Sequence, residues 1–385
     1  MKIILNASTC VVGGGVQVSV GLIRFLYTHA LDMEVHAFAS PKVFAQCRDL
    51  QGRGDFRIEE VVISPASILR GRKSRQRIRT CIVETKAQLL FTVFGPSYLW
   101  VSIPELSGFA EPFVMVPHAH CYDNHNWREW LLSRAYGFVK RQALRRVEEF
   151  WVETKVGARG LAQRLGIDES RVHVVPNAVN ALFEPILDTP SGWTGQRHRI
   201  LLLAADYPHK NHRILAKISE VLQREYPEFD FEFVCTIPRE GRVWKALAAE
   251  SGELGVADRI CNLGPVTIKE CPRLYADASV VIHPSLQEVF SATYLEAMAA
   301  ERPLVVSDFP FSREVCGDAA AYFDVTQPKA AARAIVALCT DMDLREKQIK
   351  AGLARLKQFP TGDEKNAQLV ALIRDFVRRH PPHNR

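Results

Sequence analysis

The stretch from Ala278 to Val306 limits the folds open to this chain more than any other. Residues 278–284 (ASVVIHP) form a short apolar run with β-branched side chains, the mark of a buried strand, and Pro303 to Val306 reads as the next strand. Between them Ser291 to Glu301, rich in Ala, Leu, Met and Glu, favours a helix with Ser291 at its N-cap. Strand, loop, helix and strand in this order build a parallel α/β sheet. A helix that starts at the C-terminal end of such a strand offers amide N–H groups without internal partners, and its dipole adds positive charge. A pyrophosphate fits there. Two carboxylates flank the place: Glu288 in the loop, able to accept hydrogen bonds from a polyol, and Glu296 in the second helical turn, within reach of a ribose. On spacing alone, a loop acid and a solvated helix acid account for the pair equally well.

The same alternation runs through the rest of the chain. Lys2 to Leu5 reads as a first strand, followed by the glycine loop Gly13-Gly14-Gly15, a helix from Val16 to about His29 and a strand at Glu34 to Ala39. Further strands are expected at 88–93, 112–117, 149–152 and 172–175, with a helix at 157–165. A second series follows, with strands at 200–203, 232–236 and 259–262 and helices ending near Arg224, over 242–250 and over 268–276. Glu364 to Arg379 is amphipathic. Three adjacent glycines let a ligand approach the backbone closely, a stronger reason for them than a tight turn alone. A nicotinamide oxidoreductase would need a third glycine where Val18 stands and an acid at the end of the second strand; both are missing.

His283-Pro284-Ser285, Glu288, Phe290-Ser291, Leu295-Glu296-Ala297-Met298-Ala299 and Pro303 together resemble the E-x7-E signature of glycosyltransferase family 4, whose members are retaining enzymes of the GT-B fold. That resemblance implies two Rossmann-like domains facing each other across a cleft. An acceptor-side domain would cover 1–182 plus about 363–385, and a nucleotide-sugar domain 183–362. Pro176-Asn177-Ala178-Val179-Asn180 is similar to the element that ends the family's first domain, and 184–196 reads as the linker. The resemblance further implies that Lys210 holds the diphosphate, that Glu288 meets the sugar hydroxyls, and that His118 orients the sugar, with His120 as the substitute. Donor contacts would come from Gly14, Gly15, Phe290, Ser291, Ala292 and Glu296, and from the backbone of Val266 at the base. Asp123, Asn124 and His125 are either acceptor contacts or a polar loop. No metal or other cofactor is implied. The substrate would be a UDP- or GDP-linked hexose, and the acceptor a glycan or lipid-linked glycan in surface polysaccharide or lipopolysaccharide synthesis. Two departures stand out: Ala205 where relatives carry a second cation, with Arg239 or Arg242 as replacement, and Ser291 in place of Gly. They support an alternative, a non-catalytic scaffold of the same fold that binds nucleotide sugar.

At 385 residues the chain suits two domains, and 47% hydrophobic with 24% charged residues marks an ordinary globular protein. The nine cysteines include no C-x-x-C pair, so a zinc or disulfide framework is not expected and a cytoplasmic setting is. No apolar run approaches the roughly 18 residues of a membrane span, and the one at the N-terminus is broken by Asn6. The net charge of +6 is uneven: six of the ten residues from Arg70 to Arg79 are Arg or Lys. This run reads either as a solvated loop or as a peripheral contact with anionic lipid on the inner face of a membrane, and nucleic acid is not expected as a partner. The segment Trp127 to Trp151 mixes aromatic and basic residues and reads as an amphipathic helix, packed in the core or lying on a membrane surface.

Overall fold

The computed structural model describes residues 1–50, 52–67, 69–112, 137–180, 182–183 and 197–381. These divide into two compact units, one from residues 1–112, 137–176 and 361–381, the other from the described residues of 177–360.

In the first unit seven parallel strands are described: β1 (Lys2–Ala7), β2 (Glu34–Ala39), β3 (Phe56–Glu60), β4 (Leu89–Thr92), β5 (Glu105–Gly108), β6 (Glu149–Val152) and β7 (Val172–Val174), in the order β3-β2-β1-β4-β5-β6-β7. β1 lies between β2 and β4, with Ile3 beside both Val35 and Leu89. Helices cover both faces of such a sheet, which is why β1 beyond Lys2 and all of β4 are buried. The helix Gly14–His29 turns Leu22, Ile23 and Leu26 into this core. The chain's last helix, Gly362–Arg379, begins with a capping box between Thr361 and Glu364 and adds Leu369, Val370, Ile373 and Phe376 to the same core. Arg379 closes a two-pronged contact with Glu149 at the start of β6.

The second unit repeats the plan with β8 (His198–Leu202), β9 (Phe231–Cys235), β10 (Ile260–Asn262), β11 (Val280–His283), β12 (Leu304–Ser307) and β13 (Ala321–Phe323), all parallel in the order β10-β9-β8-β11-β12-β13. Both sheets reverse their strand order once, between β1 and β4 and between β8 and β11. Loops that leave the C-terminal ends of strands on either side of such a reversal diverge, and the opening between them is where open α/β sheets bind ligands.

Several expectations change. Residues 72–79 are not a loop: Arg72–Thr85 is a helix that buries Ile78, Cys81 and Ile82 at helical spacing, a stripe masked by the surrounding charge, and only Arg70 and Gly71 of the basic run lie in the turn before it. β3 and β5 were not anticipated, since Phe-Arg-Ile-Glu-Glu and Glu-Leu-Ser-Gly carry too little apolar pattern to show. Asn177 to Asn180 sits with the second unit, because Val179 packs on the core that holds Phe183 and Tyr275. Of the segment 127–151 only 137 onwards is described, helical to Leu144 and then passing into β6. The expected strand at 112–117, from residue 113 on, and the linker 184–196 lie outside the described residues.

Candidate functional site

The reversal in the second sheet brings Lys210, His283 and Glu288 together. After β8 the chain makes a short 3-10 turn, Pro208–Lys210, and leaves it through Asn211 at φ 56°, a left-handed position that Asn tolerates better than most residues. After β11 it runs through His283 and Ser285 to Glu288. Leu286 N–H and Ser285 Oγ–H both donate to His209 O, at 2.7 and 3.1 Å, and so fasten one loop to the other. Across this seam Lys210 Nζ donates to Glu288 Oε1. His283 Nε2, at the end of β11, lies 3.1 Å from the same oxygen and donates to it.

The electrostatics follow from burial and partners together. Glu288 is 6% exposed. Burial would raise its pKa, but the Lys210 cation and the His283 hydrogen bond overcome that and hold it at about 2. The histidines respond in the opposite sense. Burial lowers His209 to about 4 and His212 to about 3, and the nearby Lys210 charge pushes both the same way. His283 is lowered as well, by burial first. At neutral pH the cluster therefore holds one ion pair among neutral imidazoles.

The helix expected at 291–301 spans Ala292–Ala299. Ser291 occupies the N-cap position with extended backbone, yet its hydroxyl makes no capping bond and there is no acid in the first turn. The first amides of this helix are thus not closed off by a neighbouring side chain. Thr293 Oγ1 donates to Leu203 O at 3.2 Å and ties the helix start to the loop after β8. Glu296, 8% exposed, accepts from the Tyr275 hydroxyl at 2.7 Å; burial raises its pKa and that hydrogen bond partly offsets the rise. Phe290 and Val266 are half-buried against the core beneath, and Phe290 meets Phe359 edge-on at 6.3 Å. Val266 follows Gly264, whose φ of 81° turns the chain and whose N–H donates to Asn262 Oδ1 at 3.0 Å.

Ala205 itself carries no charge. Its neighbour Asp206 is a carboxylate, packed so closely on Gly241 that a Cβ there would lie 2.3 Å from Oδ2. Arg239 donates to Asn262 O at 2.9 Å, at the end of β10, and Arg242 opens the helix Arg242–Glu253 as an exposed residue.

In the first unit the glycine loop follows β1. Gly13 takes φ 61° and precedes the helix, which starts at Gly14, two residues earlier than expected. A Cβ on Gly14 would meet nothing within 4 Å, and one on Gly15 would make ordinary contact with Phe94 and Cys10. Only Gly13 is thus required by backbone conformation; Gly14 leaves open space above the helix start, whereas Gly15 is packed against Phe94 and Cys10. His118, His120 and Asp123 to His125 lie outside the described residues. The sequence singled out Lys210, Glu288 and Glu296 but missed the side chains that hold them, His283 and Tyr275. His283 was visible as a polar residue ending an apolar strand, whereas nothing near Tyr275 signals its contact across 21 residues. Among the described residues no cluster of His, Cys, Asp and Glu has the makings of a metal site, and no helix is long and apolar enough to cross a membrane.

Two family profiles match this chain one after the other: "Glycosyltransferase Family 4" over residues 12–181 and "Glycosyl transferases group 1" over 197–341. The chain belongs to glycosyltransferase family 4. Among its relatives is an MMP α-(1→4)-mannosyltransferase of Mycolicibacterium hassiacum, 31% identical over 197 residues, which are 50% of this chain and 45% of that protein. Another is the O-antigen chain mannosyltransferase RfbU of Salmonella typhimurium, 25% identical over 200 residues, 51% of this chain and 52% of the relative. This family 4 chain thus spans about half the length of the curated relatives it matches. The crystal structure of HepE from Anabaena in complex with UDP-glucose shares the fold, with a TM-score of 0.71 at 15% identity over 97% of this chain and 100% of the other. The two parallel α/β units are those of the GT-B class.

Proposed function

We propose that this family 4 chain is a retaining hexosyltransferase that takes a sugar from a UDP- or GDP-linked donor and passes it to a glycan or lipid-linked acceptor in surface polysaccharide synthesis. The observation that carries the reading is the Lys210–Glu288–His283 cluster at the strand-order reversal, beside a helix start whose amides lack a side-chain cap. Diphosphate set against those amides gains from the helix dipole, and Lys210 neutralises the negative charge that grows on it as the glycosidic bond breaks. Glu288, kept ionised, accepts from sugar hydroxyls, and Glu296 accepts from the ribose in exchange for the Tyr275 hydroxyl. No protein nucleophile is needed if the departing diphosphate assists attack on the same face of the sugar. The names of the two mannosyltransferase relatives and the UDP-glucose bound by HepE support a nucleotide hexose.

The test is a thermal-shift screen across UDP, GDP, ADP and dTDP sugars, followed by transfer and donor-hydrolysis assays with the donor that binds. Glu296→Ala should abolish the shift; an unchanged shift removes Glu296 from the site. Ala205 with Asp206 beside it favours one other reading, a scaffold that binds nucleotide sugar without turning it over. A donor that binds yet is neither transferred nor hydrolysed selects the scaffold.

A further inference from the structure

The loops that follow β8, β9 and β10 are locked into one shelf at the C-terminal edge of the second sheet. Asp206, after β8, lies against Gly241, after β9: a Cβ on Gly241 would fall 2.3 Å from Asp206 Oδ2, so any other residue there would push the carboxylate aside. Asn262, which ends β10, fastens its strand to the loop after β9. Its Oδ1 accepts from Ile237 N–H at 3.2 Å, its Nδ2 donates to Ile237 O at 3.0 Å, and its carbonyl accepts from Arg239 at 2.9 Å. Neighbouring parallel strands lie about 4.8 Å apart, so the shelf from β8 to β10 is about 10 Å wide, broad enough for a purine. Leu263, at its far end, is 49% exposed, and Val266 follows in the same loop.

Asp206 stands out on this shelf. Its Oδ1 is buried and has no hydrogen-bond partner among the described residues. Burial raises its pKa, and no neighbouring charge or hydrogen bond among those residues offsets the rise. An orphaned carboxylate oxygen costs stability within the fold, and a ligand that brings N–H groups to it removes that cost. The loop that carries Asp206 starts at Leu203, whose carbonyl accepts from Thr293 at the start of the helix Ala292–Ala299, and it ends at Lys210. The carboxylate therefore lies on the segment that holds the proposed diphosphate contacts, turned toward β9.

We propose that Asp206 selects a guanine base in the nucleotide sugar. Guanine presents two adjacent N–H groups along one edge, N1–H and the 2-amino group, and a carboxylate accepts both at once. Uracil and thymine offer a single N–H between two carbonyl oxygens, which a carboxylate repels, and adenine offers an amino group beside an acceptor nitrogen. The torsion that turns the carboxylate plane is soft, so both oxygens of Asp206 align with the guanine edge at little cost. Leu263 gives the base an apolar flank. This inference rests on the nucleotide-sugar reading above and narrows it from UDP or GDP to GDP.

Calorimetric titration of the full chain with GDP, IDP, XDP and UDP tests it. IDP lacks the 2-amino group, and XDP carries a carbonyl oxygen in its place. GDP should bind about tenfold tighter than IDP and about a hundredfold tighter than UDP. Asp206→Asn should weaken GDP about tenfold and strengthen XDP, because the amide N–H donates to the xanthine oxygen while the amide oxygen still accepts from N1–H. The substitution keeps the side chain's size, and an unchanged melting temperature confirms that the variant folds. Equal affinity for GDP and IDP, or GDP binding unmoved by Asp206→Asn, overturns the proposal and leaves the nucleotide-sugar reading standing. Equal binding of all four nucleotides that tightens with magnesium, a gain lost in Asp206→Asn, also overturns it and assigns the carboxylate to a cation held on the diphosphate. Absence of binding by any nucleoside diphosphate overturns the nucleotide-sugar reading together with it.

Discussion

Each unit buries a glutamate close to its strand-order reversal, and the two are shifted in opposite directions. Glu288 in the second unit has Lys210 and His283 at its oxygen and sits at about 2. Glu105 in the first unit has no cation beside it but neutral donors, Thr92 Oγ1 at 2.8 Å, Ser97 Oγ at 2.9 Å and the Ser97 backbone, with Glu148 as a further acid nearby; burial raises it to about 7, against the pull of those hydrogen bonds. Burial is similar at the two sites, so the partners decide. A cation and an imidazole make a lasting anion, whereas neutral donors leave a carboxyl poised near neutrality. Of these two glutamates, only Glu288 is therefore held in a fixed charge pair.

The largest expected break in this contrast comes from Lys210→Ala. Removing the cation leaves Glu288 buried with an imidazole alone, which should cost about 3 kcal/mol in stability. If the proposed reaction is right, transfer should also fall roughly a hundredfold. Denaturant titration and steady-state assays measure the two losses separately, and unchanged values in both would remove the pair from structure and function alike.

Acid should weaken the second unit next. His209 and His212 have folded values near 4 and 3 against 6.5 when unfolded, so the unfolded chain binds more protons as pH falls from about 6.5 through those values. Stability should drop over that interval by about 2 kcal/mol or more, and further below about 4.5 as Glu288 begins to take up a proton in the unfolded chain first. Urea melts at pH 7 and pH 5 provide the comparison, with His212→Asn reducing the slope.

Glu105 has the reverse sign. Its folded value of about 7 lies above the unfolded 4.5, so the native state holds a proton the unfolded chain has lost, and stability falls as pH rises through that window. Glu105→Gln should thus add about 1 kcal/mol at pH 8 and little at pH 5. A gain that is the same at both values would mean that Glu105 is ionised throughout, and the contrast with Glu288 would vanish.

How much of this could be read beforehand depended on the kind of signal. β1, β4 and β11 showed because strands buried on both faces are continuous apolar runs, and Lys210, Glu288 and Glu296 showed because a motif of fixed spacing carries them. β5 was hidden since Glu105 is buried against the hydroxyls of Thr92 and Ser97, and Ser107 against the backbone, instead of presenting an apolar face. The helix at 72–85 was hidden under its own charge, and Tyr275 because a side-chain hydrogen bond formed across a fold leaves no periodic trace. Charge state was the least legible property of all. Glu105 and Glu288 are the same letter, and only their neighbours in space tell them apart.

The return of Gly362–Arg379 to the first sheet bears on how the protein can be divided. Cutting the chain near Asn177 and expressing the pieces apart would strip the leading fragment of Leu369, Val370, Ile373 and Phe376, and leave its hydrophobic flank bare. A soluble half would require that final segment to be grafted back behind Pro176, and the complementary piece should end before Thr361. Dissection by gene design thus has to follow a path in space that the linear order of residues conceals.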